Sequence, residues 1–395
     1  MEFSEDILEQ LKICVEDKEL NKVCIDLGII EDRNTNQIKL EKIKEYISEN
    51  LLGKIRGKSA IIKFLTTMHA YKQNNELVRI SNKGNYTDGF VDYNLLLPLK
   101  DSSKISGFRT SSEVLGEDRN RYILKDAEGL KGITSGMNNA KDAKFNPTIA
   151  YAFFKYLGED CAEFIPALEK QPYFYILSKN FLKKNQEIIS LDNENFTSKP
   201  LHIDEEKNIT HSSILDAIEN HVKEKGFSKE KTIEISEKLK LQYVVQETIK
   251  SLICNMDENL GNTSFISTKD KEGNIADINI SPAYDLDISF ALGEEMQKSI
   301  GNVNKINRVT KDGKNDLKSI IQEFELINGY KEKMQEIMQK FQNGYIDKIF
   351  NIAYEFTKIE IFKSKELKQK YSGFLMRRIA LFKEACKEDK EKIFL

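Results

Sequence analysis

The sequence predicts an α+β protein of more than one domain, with a helical start, a strand-rich middle and a mainly helical second half. Three observations carry that expectation. Apolar residues recur at three- and four-residue steps in the first 75 residues and again after residue 228; short apolar runs broken by Gly, Asn, Asp and Ser fill residues 76–126; and 395 residues exceed what one small core needs.

Each element has its own signal. Ser4 is placed to cap a first helix, with Glu5 and Asp6 suited to its dipole, and Leu40, Ile43, Ile47 and Leu51 line a later helix that Gly53 ends. Strands are expected at Leu77–Ile80, Leu95–Leu97 and Tyr122–Leu124, and Pro147 opens a buried helix over 147–157. Two more strands are expected at Phe174–Leu177 and Glu187–Leu191. Ser228 caps a long helix with apolar positions from Ile235 to Ile253, stopping before Asp257, and further helices pack from about residue 315 onward. The predicted organisation is a helical extension over 1–75, a strand-rich lobe over 76–192 with a hinge near 178–182, and a helical lobe over 193–395. Two such lobes predict a cleft for ligands.

Composition narrows the class. Apolar residues at 40% and charged residues at 31% are those of a folding chain, not a disordered one. A net charge of -3 argues against a protein that coats nucleic acid or anionic membrane through overall charge. Cys14, Cys24, Cys161, Cys254 and Cys386 form no Cys-x-x-Cys pair, which argues against a disulfide framework or zinc site and fits reduced thiols. The acidic start MEFSEDILEQ and the lack of a membrane-length apolar run predict a soluble cytoplasmic protein without a membrane partner.

The chemistry-bearing stretch runs from Asn255 to Asp287. Asp257 and Asn262 stand five apart, the spacing of a loop in which the acid accepts a hydroxyl proton and the amide holds magnesium. Two strands, Thr263–Ser267 and Ile275–Ile280, are joined by the turn-rich KDKEGN, so the chain folds back and returns Asp285, 23 residues beyond Asn262, toward the same place. Phosphoryl transfer needs cations on the phosphates, oxygens to hold them and a base in line with the acceptor; Asp257 is the candidate base, with Asn262 and Asp285 as candidate magnesium ligands. Lys125, on one strand face with Ile123, is the candidate cation for nucleotide phosphates, although a lysine ending a strand is more often a solvated edge charge.

These residues resemble the HipA-like serine/threonine kinases. NMDENLGNTSF followed by ISPAYDLDISF is similar to that family's Asn-x-Asp-x-His-x-x-Asn loop and Pro-x-Tyr-Asp segment, and Tyr173–Leu182 is similar to its strand leading into the hinge. Asn259 stands where the family has His, and Glu258 where Arg is common. The resemblance covers about residues 90–355 and implies a two-lobed protein-kinase-like fold using ATP and Mg2+. It also implies Ser178 and Phe181 at the adenine and transfer to Ser or Thr of a protein substrate; the phosphate-covering loop has two candidates, the preferred one with Gly107 upstream of Lys125 and a second with Gly129, Gly132 and Gly136 downstream. Some relatives arrest growth, which implies a toxin–antitoxin setting, and residues 1–75 are expected to be a docking extension for an antitoxin or other partner. Ser and Thr in 102–112 are candidates for autophosphorylation.

Other readings use the same residues. Residues 37–63 hold seven Lys/Arg against three Glu beside two closely joined helices, so a DNA-binding helix-turn-helix is the alternative for the extension. A lipid or small-molecule kinase of the same fold is the alternative for the acceptor.

Overall fold

In a computed structural model the described residues are 5–50, 60–73, 76–81, 88–98, 111–126, 144–170, 173–198, 201, 209–255, 259–286, 289–290, 311–312, 314 and 317–386. The protein is α+β and divides into two compact units, one drawn from residues 1–129, 163–180 and 357–359, the other from 130–162, 181–356 and 360–395.

The first unit begins with four helices: α1 (Glu5–Glu16), α2 (Lys18–Asp26), α3 (Asn36–Asn50) and α4 (Ala60–Gln73). Asp17 caps α2 by accepting from Glu19 N and Leu20 N. The predicted capping residue Ser4 and the predicted stop Gly53 lie outside the described residues. Leu11, Ile43, Ile47, Phe64 and Leu65 close into an apolar cluster that also buries Cys14 and Cys24, and burial pushes both thiols up to about 12. All five cysteines are free.

Helix α4 packs on the turn and strands that follow: Thr67 Oγ1 donates to Leu95 O, in the turn, at 3.0 Å, and Leu97, in a strand, joins the helical cluster. Those strands are β1 (Val91–Asp92), β2 (Leu97–Pro98), β3 (Ser111–Leu115), β4 (Arg121–Asp126), β5 (Phe164–Lys170) and β6 (Tyr173–Lys179), in the order β1-β5-β6-β4-β3-β2. Only β1 with β5 is parallel.

Three expectations are corrected here. Leu95 and Leu96 are not strand: the Asp92 side chain accepts from Asn94 N and caps a 3-10 turn over Tyr93–Leu95, leaving Leu97–Pro98 as strand. Leu77–Ile80 forms no strand either; Arg79 makes an isolated bridge to Val91, with Ile80 N bonded to Phe90 O. Conversely, β5 lies outside the predicted strands. Sandwiched between β1 and β6, it is buried from Phe164 through Leu168 and so shows no alternation, and Pro166 interrupts its pattern.

The second unit contains α5 (Asn146–Leu157), α6 (His211–Lys223), α7 (Lys229–Leu252), α8 (Leu317–Phe324), α9 (Tyr330–Lys340), α10 (Tyr345–Thr357, whose last residue belongs to the first unit) and α11 (Lys365–Ala385). Pro147 sits in the first turn of α5, and Ser228 caps α7 by accepting from Lys231 N. An antiparallel sheet is ordered β7 (Gln186–Ser190), β8 (Ser264–Lys269), β9 (Ile275–Ile280). Among the described residues no helix is long and apolar enough to cross a membrane.

Candidate functional site

Helix α7 sets the frame of the site. Lys238, Gln242, Gln246 and Lys250 recur every four residues and so share one face of the helix. Along that face Lys238 pairs with Asp277 at 2.7 Å, Gln242 Oε1 accepts from Ile280 N at 3.1 Å, and Gln246 Nε2 donates to Ser281 O at 2.9 Å. Lys250, buried and paired with Glu247 at 3.1 Å, reaches the main-chain carbonyl of Asn262 at 3.4 Å. The stripe therefore ties the helix to β9, then to the segment after β9, then to the loop before β8.

Two segments run together beyond it. One is 253–264, of which 256–258 lie outside the described residues; the other is 281–290, described except for 287–288. At one end Phe290 N donates to Ile253 O at 2.8 Å and Ser289 Oγ to Asn255 Oδ1 at 3.4 Å. At the other, Ser281 N donates to Ser264 O at 2.8 Å. Between them the Tyr284 hydroxyl donates to Gly261 O and accepts from Ser264 Oγ at 2.5 Å. A further tie fixes Ala283: its N–H donates to Asp160 O, and its carbonyl accepts from Ala162 N at 2.8 Å.

The backbone here is strained. Of five non-glycine residues with positive φ among the described residues, three lie on these segments: Cys254 at 50°, Asp285 at 55° and Phe290 at 57°. Cys254 occupies the left-handed position just past α7 that glycine usually fills, which turns the chain into the loop. For Phe290 that conformation is an outlier, and such outliers persist only where surrounding bonds over-determine them.

The predicted site residues fall as follows. Asn262 ends a 3-10 turn over Leu260–Asn262, with Asn259 Oδ1 accepting from Gly261 N at 3.0 Å. Its side chain is 8% exposed, and Nδ2 has no hydrogen-bond partner among the described residues. Asp285 is half-buried and follows Tyr284, whose hydroxyl binds the residue before Asn262. Phe181 lies against the Tyr284 ring, with centroids 6.2 Å apart. Asn262, Asp285 and Phe181 are thus gathered about Tyr284. Asp257 and Gly107 lie outside the described residues, as do the alternative glycines Gly129, Gly132 and Gly136.

Lys125 and Ser178 belong to the first unit. Lys125 faces Ile176 across the β4–β6 pairing and Ser178 faces Ile123, so all four occupy one face of the sheet. Ser178 is buried and Lys125 half-buried. Two nearby acids form ion pairs, Glu163 with Lys179 at 3.1 Å and Glu159 with Lys333 at 2.8 Å.

Asn262 and Asp285 suit magnesium. They offer an amide oxygen and a carboxylate, the hard donors this ion takes, and it needs few protein ligands because waters and phosphates complete its shell. A buried amide with an unsatisfied Nδ2 calls for an acceptor that the described protein does not supply, and a phosphate oxygen is one. No group of three or more His, Cys, Asp or Glu is placed to hold a metal among the described residues.

Tyr284 and Lys250 escape a search for spaced acids and amides. Lys250 does leave a signal, the four-residue recurrence of Lys, Gln, Gln and Lys through the apolar pattern of α7. The double contact of Tyr284 leaves none, because it depends on how the chain returns.

No protein-family model and no curated protein sequence matches the chain. Among solved structures it is similar to the Helicobacter pylori proinflammatory kinase CtkA, with TM-score 0.48 and 16% identity over 70% of this chain and 94% of that one. It is also similar to a chain in the Shewanella oneidensis MR-1 toxin–antitoxin complex of HipA, HipB and operator DNA, with TM-score 0.43 and 12% identity over 95% and 85% of the two chains. A third likeness, to golgi casein kinase, has TM-score 0.32 and 8% identity over 99% and 92%. All three scores lie below 0.5, so the functional reading rests on the chain's own residues.

Proposed function

We propose that this protein is a HipA-like kinase that transfers the terminal phosphoryl group of ATP, with Mg2+, to Ser or Thr hydroxyls of a protein substrate. The observation that carries the reading is the side-by-side run of 253–264 and 281–290, tied at both ends, with Asn262 on one segment and Asp285 on the other.

Bound ATP with magnesium supplies the electrophilic phosphorus and the cation that offsets its charge. The chain's part is placement. Asn262 and Asp285 offer oxygens to the metal, Asp257 accepts the proton of the attacking hydroxyl, and Lys125 neutralises phosphate charge. Phe181 and Ser178 contact the adenine, and the loop containing Gly107 covers the phosphates. Residues 1–75 are the docking extension for a partner protein, and Ser or Thr in 102–112 receive phosphate in autophosphorylation.

The test is transfer from radiolabelled ATP with Mg2+ in wild type, Asp257→Ala and Asp285→Ala. Label is expected on the protein or an added protein acceptor, and each substitution should lower transfer by about a thousandfold or more, with nucleotide binding largely kept in Asp257→Ala. Equal labelling in all three proteins removes these roles. Labelling of a lipid or small molecule, with none on protein, moves the acceptor and keeps the site.

A further inference from the structure

The Tyr284 hydroxyl stands at a junction that the proposed chemistry leaves without a task. It donates to Gly261 O, accepts from Ser264 Oγ, and its ring lies against Phe181. A phenol has one proton to give, so with the donor committed to Gly261 the Ser264 contact must run from serine to tyrosine. One side chain from the segment after β9 therefore grips the loop on both sides of Asn262, at 261 and at 264.

Lys250 grips the same loop from behind. Its ammonium reaches Asn262 O at 3.4 Å and Glu247 at 3.1 Å, in a pair only 9% and 12% exposed. Consecutive carbonyls, at 261 and 262, are thus each held by a long-range partner, one from 23 residues downstream and one from 12 upstream. The Asn262 residue is buried and its Nδ2 has no hydrogen-bond partner among the described residues, so no bond to that atom fixes the amide's orientation. What the described bonds do fix is the backbone beneath it.

We infer that Tyr284 and Lys250 are positioning residues for metal binding: by fixing the peptide units at 261 and 262 they aim the Asn262 amide, and Tyr284 at the same time anchors the peptide carrying Asp285. The inference rests on the reading of Asn262 and Asp285 as magnesium ligands. Neither Tyr284 nor Lys250 touches the metal. Their contribution is preorganisation, which enters the affinity for the cation without adding a ligand.

The test measures metal binding directly. Tyr284→Phe keeps the ring against Phe181 and deletes only the hydroxyl, while Lys250→Met keeps the stem and deletes the charge. Free Mn2+ is titrated by electron paramagnetic resonance against each protein saturated with ADP, and metal-free ADP affinity and melting temperature are measured alongside. Each variant is expected to bind Mn2+ about tenfold more weakly, the loss typical of one deleted hydrogen bond, with metal-free ADP affinity unchanged. Conservation of that split distinguishes aiming from general loosening, which would lower both affinities together.

Wild-type Mn2+ affinity in a folded Tyr284→Phe overturns the role of Tyr284, and the same result in Lys250→Met overturns that of Lys250. Parallel loss of ADP and Mn2+ binding overturns the aiming role for the variant showing it. If Tyr284→Phe does not fold, Lys250→Met still decides the role of Lys250, and Ser264→Ala, which removes one end of the tyrosine's grip, decides that of Tyr284. A wild-type protein that binds Mn2+ no better than Asn262→Ala with Asp285→Ala removes the metal-site reading itself, and this inference with it; that outcome is distinguishable because it appears before any positioning residue is changed.

Discussion

The α1–α4 cluster and the paired segments 253–264 and 281–290 are held by different forces. In the cluster, Leu11, Ile43, Ile47, Phe64 and Leu65 close on one another as side chains, and burial of apolar surface has no preferred direction. Helices joined this way must meet, with little demand on where single atoms point; the buried bond from Ile61 N to Gln10 Oε1 at 3.0 Å is a directed contact set into that apolar packing. The paired segments are held by bonds to individual carbonyls, at Ile253, Gly261, Asn262 and Ser281, with left-handed backbone at Cys254, Asp285 and Phe290. Such bonds fix direction, and the strained backbone is what they offset. Stability and placement are therefore expected to separate in this molecule.

The largest effect that sharpens the contrast is in the cluster. Phe64 is almost fully buried, and Phe64→Ala should cost about 3–5 kcal/mol by the usual cavity and transfer losses. Chemical denaturation measures it. Well below the variant's melting temperature, Mn2+ affinity in the ADP complex should stay at the wild-type value; a loss there would show that the cluster does orient the site.

Acid should move the two units in opposite senses. His221, in the second unit, stacks on Phe196 with Nδ1 against the Phe196 carbonyl, and burial lowers its pKa from 6.5 to about 4. Its neutral form is favoured by the fold, so the stability it contributes is complete above pH 6.5 and lost as pH falls toward about 4. Glu117, fully buried in the β3–β4 turn of the first unit, is raised by burial from 4.5 to about 7. Its protonated form is favoured, so its contribution is complete below pH 4.5 and lost as pH rises through about 7. Melting temperatures followed from about pH 5 to about pH 7.5 should fall less on acidification in His221→Phe than in wild type, and more in Glu117→Gln. Wild-type slopes in both variants would assign the pH response to other groups.

The smallest effect concerns strain without a task. Arg119 is exposed at the β3–β4 turn with φ of 65°, and Arg119→Gly should stabilise the protein by about 0.5–1 kcal/mol by relieving a left-handed side-chain clash. A loss on denaturant titration would mean that the arginine contributes more than its strain costs.

Much of the architecture was legible because its signals are local. Ser228 marks the start of α7, Pro147 the first turn of α5, and Ile275–Ile280 emerges as the strand predicted. The misses share a cause. Strand β5 is buried on both faces, so its alternation vanishes, and the Asp92 cap that turns Tyr93–Leu95 out of the sheet competes with an apolar run that reads as strand. In the candidate site, Asn262 and Asp285 were singled out through residue type and spacing. Tyr284 and Lys250 were not, since their partners lie 23 and 12 residues away.

By itself the sequence determined that a loop bearing Asn262 is followed by two short strands joined by a tight turn, and that the chain returns with Asp285 after the second. Strand length and turn composition are enough for that, because a hairpin of matched arms brings its ends together. Only the tertiary structure decided which face of α7 meets β9, which carbonyls Lys250 and Tyr284 hold, and that Asp285 adopts left-handed backbone. These depend on bonds between residues far apart in the chain, and no local period encodes a partner that folding alone brings within reach.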